Sequence, residues 1–126
     1  MTENTDSGAQ SAAAAMAVDY WKLLRVTERA LAALPEEKRK RIEAQLRFSA
    51  SRLEGHLADL DISLATFEGQ TFGPELPAVA VNADEFERAE SLIVESAVEP
   101  AVLIDGNVIQ NARVMLKEDT ANVSGN

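Results

Sequence analysis

The chain has 126 residues, 46% of them apolar, but only one Trp, one Tyr and four Phe. This fits one domain, or a helical region plus one small head, and excludes a wholly disordered protein. Cysteine is absent and His56 is the only histidine, so disulfides, thiolate metal sites and cysteine nucleophiles are excluded and a zinc site would need carboxylate-rich ligation.

The formal charge of −9 is unevenly spread. Residues 1–52 hold nine Lys/Arg against seven Asp/Glu, whereas residues 53–126 hold three against fourteen. The acidic half repels nucleic acid and favours a basic or neutral partner face. The run KRKR, Lys38 to Arg41, is the one basic patch, read as a solvated helix face because no aromatic platform accompanies it. No run of 18 apolar residues is present, so no membrane span is expected. The opening MTENTDSGAQ is acidic and polar, unlike the basic start of a signal peptide, and the expected location is cytoplasmic.

In chain order, residues 1–12 read as a disordered tail, with ordered helix beginning between Ala13 and Asp19. From Tyr20 the larger residues fall at Tyr20, Leu24, Thr27, Leu31 and Leu34, in steps of four and three. Leu23, Val26 and Ala30 broaden that stripe, and the opposite face carries Lys22, Arg25 and Arg29. This spacing predicts an amphipathic helix. Pro35 lacks an amide hydrogen and restricts Leu34, so a break is expected there. Glu36 and Glu37 followed by KRKR suit the start of a second helix, running to Asp59 or Leu60. Ile42, Leu46, Ser49, Leu53, Leu57 and Leu60 mark its apolar face, with Phe48 off the seam and His56 beside it. Gly55 weakens this helix by about 1 kcal/mol relative to Ala and offers a site of close helix packing.

From Asp61 the pattern changes. DISLATF is either a short strand or a last helical turn, and Gly69, Gly73 and Pro74 mark turns. Strands are expected around Ala78 to Val81 and Leu92 to Glu95, with Asn82 to Glu90 a loop or single helical turn. The clearest signal is AVLIDGNVIQNARVML, two apolar runs flanking Asp105 and Gly106, which predicts a β-hairpin with Gly106 at positive φ. The predicted returning strand runs from Val108 towards Leu116, its alternation slipping after Ala112. The fold class is therefore α+β: a helical hairpin or dimeric four-helix bundle over 13–60, a small β head over 61–117 with a C-terminal hairpin, and a disordered tail over 118–126.

No G-x-G-x-x-G, P-loop, H-E-x-x-H, G-x-S-x-G or EF-hand motif is present. The serines lack a base, His56 lacks a paired nucleophile, and Asp59 and Asp61 point in different directions on a helix. The reading is of a noncatalytic binding protein with no cofactor and no metal. Two amphipathic helices must bury their apolar faces against each other, the head or a second subunit. The expected dimerisation residues are Leu24, Leu31, Ile42, Leu46, Leu53 and Leu57, in a homodimer. On the head, Arg113 is a candidate anchor for an acidic partner, Asn107 and Gln110 are polar rim residues, and Phe72 and Leu76 either pack the head onto the helices or meet a partner.

The order of these elements resembles the GrpE family, the nucleotide-exchange cochaperones of the DnaK chaperone. LLRVTERAL, Leu23 to Leu31, looks like the end of that family's long dimerising helix. The second helix resembles a short helix of its bundle. FEGQTFGPELPAVAV, Phe67 to Val81, resembles the entry into its β domain. VEPAVLIDGNVIQNARVML, Val98 to Leu116, resembles its closing hairpin at Gly106, Ile109, Ala112, Arg113 and Val114. The resemblance covers roughly residues 20–117. It implies a homodimeric protein whose β head binds a DnaK-type ATPase and releases ADP by favouring an open conformation, without covalent chemistry. The chain departs from the family in lacking most of the N-terminal helical stalk. Gly73 stands where an aspartate is common, and Pro77 or Ala78 stands where a histidine is usual. A noncatalytic adaptor or assembly scaffold of the same architecture is the alternative reading.

Overall fold

The computed structural model describes residues 2–86 and 91–119, with two helices followed by six strands in two small sheets. The chain divides into two compact units, 1–63 and 64–126.

The first unit is a helical hairpin. α1 spans Thr2–Leu31 and α2 spans Glu36–Asp59. The break falls at the expected place: Leu34 and Pro35 lie between the helices, and Pro35 is the N-cap of α2 with φ −57°. Glu36 and Glu37 occupy the first turn, where the helix dipole favours acids. The start of α1 differs from the expectation, because the backbone is already helical at Thr2 rather than from the Ala13–Asp19 region. The Gln10 amide donates to the Leu60 carbonyl at 2.7 Å, joining the early part of α1 to the end of α2. Ala14, Ala17 and Val18 are buried. Of the alanine run, Ala14 is buried whereas Ala12 and Ala15 are exposed.

The apolar stripe of α1 is two stripes. Leu31 is 4% exposed and Leu24 half-buried, whereas Met16, Leu23 and Val26 lie in solvent, Leu23 at 66% exposure. Arg25, expected on a solvated face, holds its guanidinium 4.5 Å from the Trp21 ring centre. On α2, Leu57 is buried, Leu46, Ser49 and Leu53 are half-buried, and Leu60, just past the helix, is exposed. Gly55 meets no atom within 4 Å of a would-be Cβ, so close helix approach is not its role.

The second unit holds two three-stranded sheets. β1 (Ile62–Ala65) contains the division between the units; the strand alternative for DISLATF is the one adopted. β4 (Ala101–Ile104) and β5 (Asn107–Gln110) form the expected hairpin, and one sheet has the order β1-β4-β5. Asp105 and Gly106 both have positive φ, 52° and 79°, as a type I′ turn requires.

The other sheet has the order β2-β6-β3, with β2 (Ala78–Ala80), β3 (Leu92–Glu99) and β6 (Ala112–Glu118). The returning strand is therefore two strands. It parts at Asn111, with β5 completing the hairpin and β6 becoming the centre of the second sheet.

β6 pairs parallel with β2 and antiparallel with β3. Ala112, Val114 and Leu116 alternate into the core and meet Val94 and Ala97 of β3. Each of the larger aliphatic side chains contributes about 1.5–3 kcal/mol by leaving water. Val94 and Ala97 are three residues apart yet both buried, because a bulge between Val94 and Ser96 inserts one residue and reverses the parity. The Glu68 carboxylate accepts the Ala97 amide at 2.9 Å, satisfying a donor beside the disturbed ladder.

A 3-10 turn over Ala83–Phe86 follows β2. It is preceded by buried Asn82, whose Oδ1 accepts from the Leu116 amide at 2.9 Å and whose Nδ2 donates to the Leu116 carbonyl at 3.1 Å. The expected strand at Leu92 to Glu95 extends to Glu99, and the head runs through Glu118. The remaining tail expectation, from residue 120 onward, and residues 87–90 of the expected loop lie outside the described residues.

Candidate partner-binding surface

Arg113 is the second residue of β6. Its neighbours on β6, Ala112 and Val114, point inward and are fully buried, so pleat alternation turns Arg113 outward. Across the sheet its Cα partners are Val79 on β2 and Glu99 on β3. The row Val79–Arg113–Glu99 therefore places an aliphatic side chain, a guanidinium and a carboxylate side by side. Val79 is 53% exposed. No carboxylate among the described residues forms an ion pair with Arg113 at 4.0 Å or less.

Gln110 ends β5 in the other sheet, but its amide Nε2 donates to Glu99 Oε2 at 3.4 Å. Glu99 is thus shared between the two sheets: it accepts from Gln110 and lies opposite Arg113. Asn107 stands at the other end of β5, exposed and beside the Asp105–Gly106 turn. All four β5 residues are exposed, with Ile109 at 60%. β5 is also an edge strand, with no other strand beyond it among the described residues.

Phe72 and Leu76 sit elsewhere in the head. The backbone of 69–72 runs along β3: Gly69 and Phe72 amides donate to the Val94 and Leu92 carbonyls, and the Val94 amide donates to Gln70, each at 2.9 Å. Positive φ at Phe67 and Gly69 bends the chain into this position. Both Phe72 and Leu76 are half-buried. Gly69, Gln70, Thr71, Gly73, Glu75 and Leu76 line an open groove.

The structure therefore places Gln110 and Arg113 each beside Glu99, the one by a hydrogen bond and the other by strand register, and leaves Asn107, Phe72 and Leu76 apart from them. Glu99 and Val79 were not among the expected site residues. The alternation of β6 identifies Arg113 as outward-facing, but the cross-strand register that adds its neighbours is set by tertiary pairing.

Of the expected dimerisation residues, Leu31 and Leu57 are already buried within one chain, Leu24, Leu46 and Leu53 are half-buried, and Ile42 is exposed. His56, Asp59 and Asp61 are exposed. Among the described residues, no group of three or more His, Asp or Glu is placed to hold a metal ion. No helix among them is long and apolar enough to cross a membrane. Comparison with family models, curated proteins and solved structures found no match.

Proposed function

We propose that this chain is a GrpE-like nucleotide-exchange cochaperone, a noncatalytic protein whose β head binds a DnaK-type ATPase and promotes ADP release. The observation that carries this reading is the row Val79–Arg113–Glu99 on the head, following a two-helix unit in the order the resemblance implies. Arginine is enriched among the residues that carry binding energy at protein interfaces, and here it stands on a central strand beside an exposed aliphatic side chain. Its action requires only tighter binding to the open, ADP-releasing conformation of the ATPase. Location in the cytoplasm, beside such a chaperone, belongs to the same proposal.

The reading includes a homodimer. Leu31 and Leu57 are used within the hairpin, which leaves the outward stripe of Met16, Leu23 and Val26 on α1 as the surface for a second copy. The deciding experiment is release of a fluorescent ADP analogue from a DnaK-type ATPase with and without this protein. Stable binding to the ATPase without faster release supports the adaptor reading instead.

A further inference from the structure

α2 has a second face unlike its buried one. Lys38, Arg41, Gln45, Phe48 and Arg52 follow one another in steps of three and four, so they share one side of the helix. All five are exposed. Phe48 is 57% exposed, and the Arg52 guanidinium carbon lies 5.8 Å from its ring centre. The neighbouring Arg39 and Lys40 are paired with Glu43 and Glu36 at 3.6 and 3.2 Å. Lys38, Arg41 and Arg52 have no ion pair among the described residues. Beside the ridge, Tyr20, Gln45, Phe48, Arg52, Leu53 and His56 line an open groove of about 360 Å³.

We infer that this ridge docks an acidic protein segment that inserts an apolar side chain beside Phe48. The argument is charge complementarity around an apolar centre. Three cations without an ion pair among the described residues lie along a stretch of about 21 Å on the helix, in a chain whose formal charge is −9. Acidic side chains of the partner meet Lys38, Arg41 and Arg52. An apolar residue between them enters the groove between Tyr20 and Phe48, removing from water a ring that the hairpin leaves exposed. A protein segment fits better than a nucleic acid. One ring is no stacking platform for successive bases, and the acidic remainder of the chain repels a dense polyanion more than a short segment with a few carboxylates. The surface lies on α2, outside the β head, and its occupation does not depend on the nucleotide-exchange reading.

The test is fluorescence anisotropy of a labelled, glutamate-rich helical peptide carrying Leu and Phe four residues apart, titrated with the full chain. The comparison probes are the same peptide with Ser at both apolar positions, a duplex DNA, and vesicles of anionic phospholipid. Saturable binding is expected for the apolar-acidic peptide, weaker binding for the Ser version, and loss of affinity as salt rises. R41E/R52E should weaken binding about tenfold or more, and Phe48→Ser about fivefold. Trp21 emission and far-ultraviolet circular dichroism check that the variants fold; R41Q/R52Q removes the charges without adding acids and should lower affinity in the same direction. Absence of saturable peptide binding, or equal binding by wild type and R41Q/R52Q, overturns the inference. Tighter binding of DNA or vesicles than of the peptide, lost on the same substitutions, overturns it in favour of a polyanion site.

Discussion

Glu99 lies opposite Arg113 in the β3–β6 ladder, and its carboxylate also accepts the Gln110 amide from the neighbouring sheet at 3.4 Å. Arg113 stands on the central strand of its sheet, beside a carboxylate that does not form an ion pair with it at 4.0 Å or less. Such a guanidinium remains available to a carboxylate of a partner, and Val79 beside it supplies apolar area. On the proposed function, Arg113→Ala should weaken binding to the ATPase about tenfold and leave the unfolding midpoint unchanged. The concentration dependence of ADP release measures the first effect and a thermal melt the second. An unaltered concentration dependence would remove Arg113 from the interface.

Asn82 gives the head an internal clamp. Its amide makes two hydrogen bonds with the backbone of Leu116, the largest fully buried side chain of β6. Asn82→Leu keeps a similar volume but leaves the Leu116 N–H and C=O without these partners in the core. The expected loss is about 2 kcal/mol or more, within the usual cost of leaving buried polar groups unsatisfied. Urea unfolding measures it; a loss well below 1 kcal/mol would mean that water replaces both bonds.

The Asp105–Gly106 turn depends on backbone conformation. No atom crowds a Cβ at Gly106, so the penalty for substitution comes from its φ of 79° and not from collision. Gly106→Val should cost about 1–3 kcal/mol by the same urea measurement. Gly106→Asn, which tolerates the left-handed region better, should cost less.

Two leucines on α1 separate folding from assembly. Leu31 is buried, and Leu31→Ala should destabilise the hairpin by about 2–5 kcal/mol. Leu23 is exposed, and Leu23→Glu should leave the melt of the chain unchanged while weakening the proposed homodimer at least tenfold. Sedimentation equilibrium reads the second effect. A wild-type chain that remains monomeric at high concentration would contradict the dimer.

Gly55 lies inside α2 with open space around it. Gly55→Ala should raise stability by about 1 kcal/mol, the propensity difference between these residues. A fall in the unfolding midpoint would show that the position has a role beyond helix geometry.

Local chemistry made much of this fold legible. Pro35 ends one helix and begins the next, Asp105–Gly106 makes the hairpin turn, and the alternation of Ala112, Val114 and Leu116 marks a strand with one buried face. Features set by distant pairing were hidden. The parting of β5 from β6 at Asn111 depends on two different sheets. Ala97 is buried because a bulge reverses strand parity, and Glu99 joins Arg113 only through the β3–β6 register. On α1, a single wide stripe in the sequence is two faces in space, since Leu24 and Leu31 turn towards the hairpin interior while Leu23 and Val26 do not. Of the expected head residues, Gln110 bonds Glu99 and Arg113 lies opposite it in the ladder, and Asn107, Phe72 and Leu76 follow other parts of the head.

The central claim is tested most directly by stopped-flow release of a fluorescent ADP analogue from a DnaK-type ATPase of the source organism. The account predicts a saturable acceleration by the wild-type chain, with higher concentrations of Arg113→Ala needed to reach it. No acceleration by a chain shown to be folded would contradict the nucleotide-exchange function.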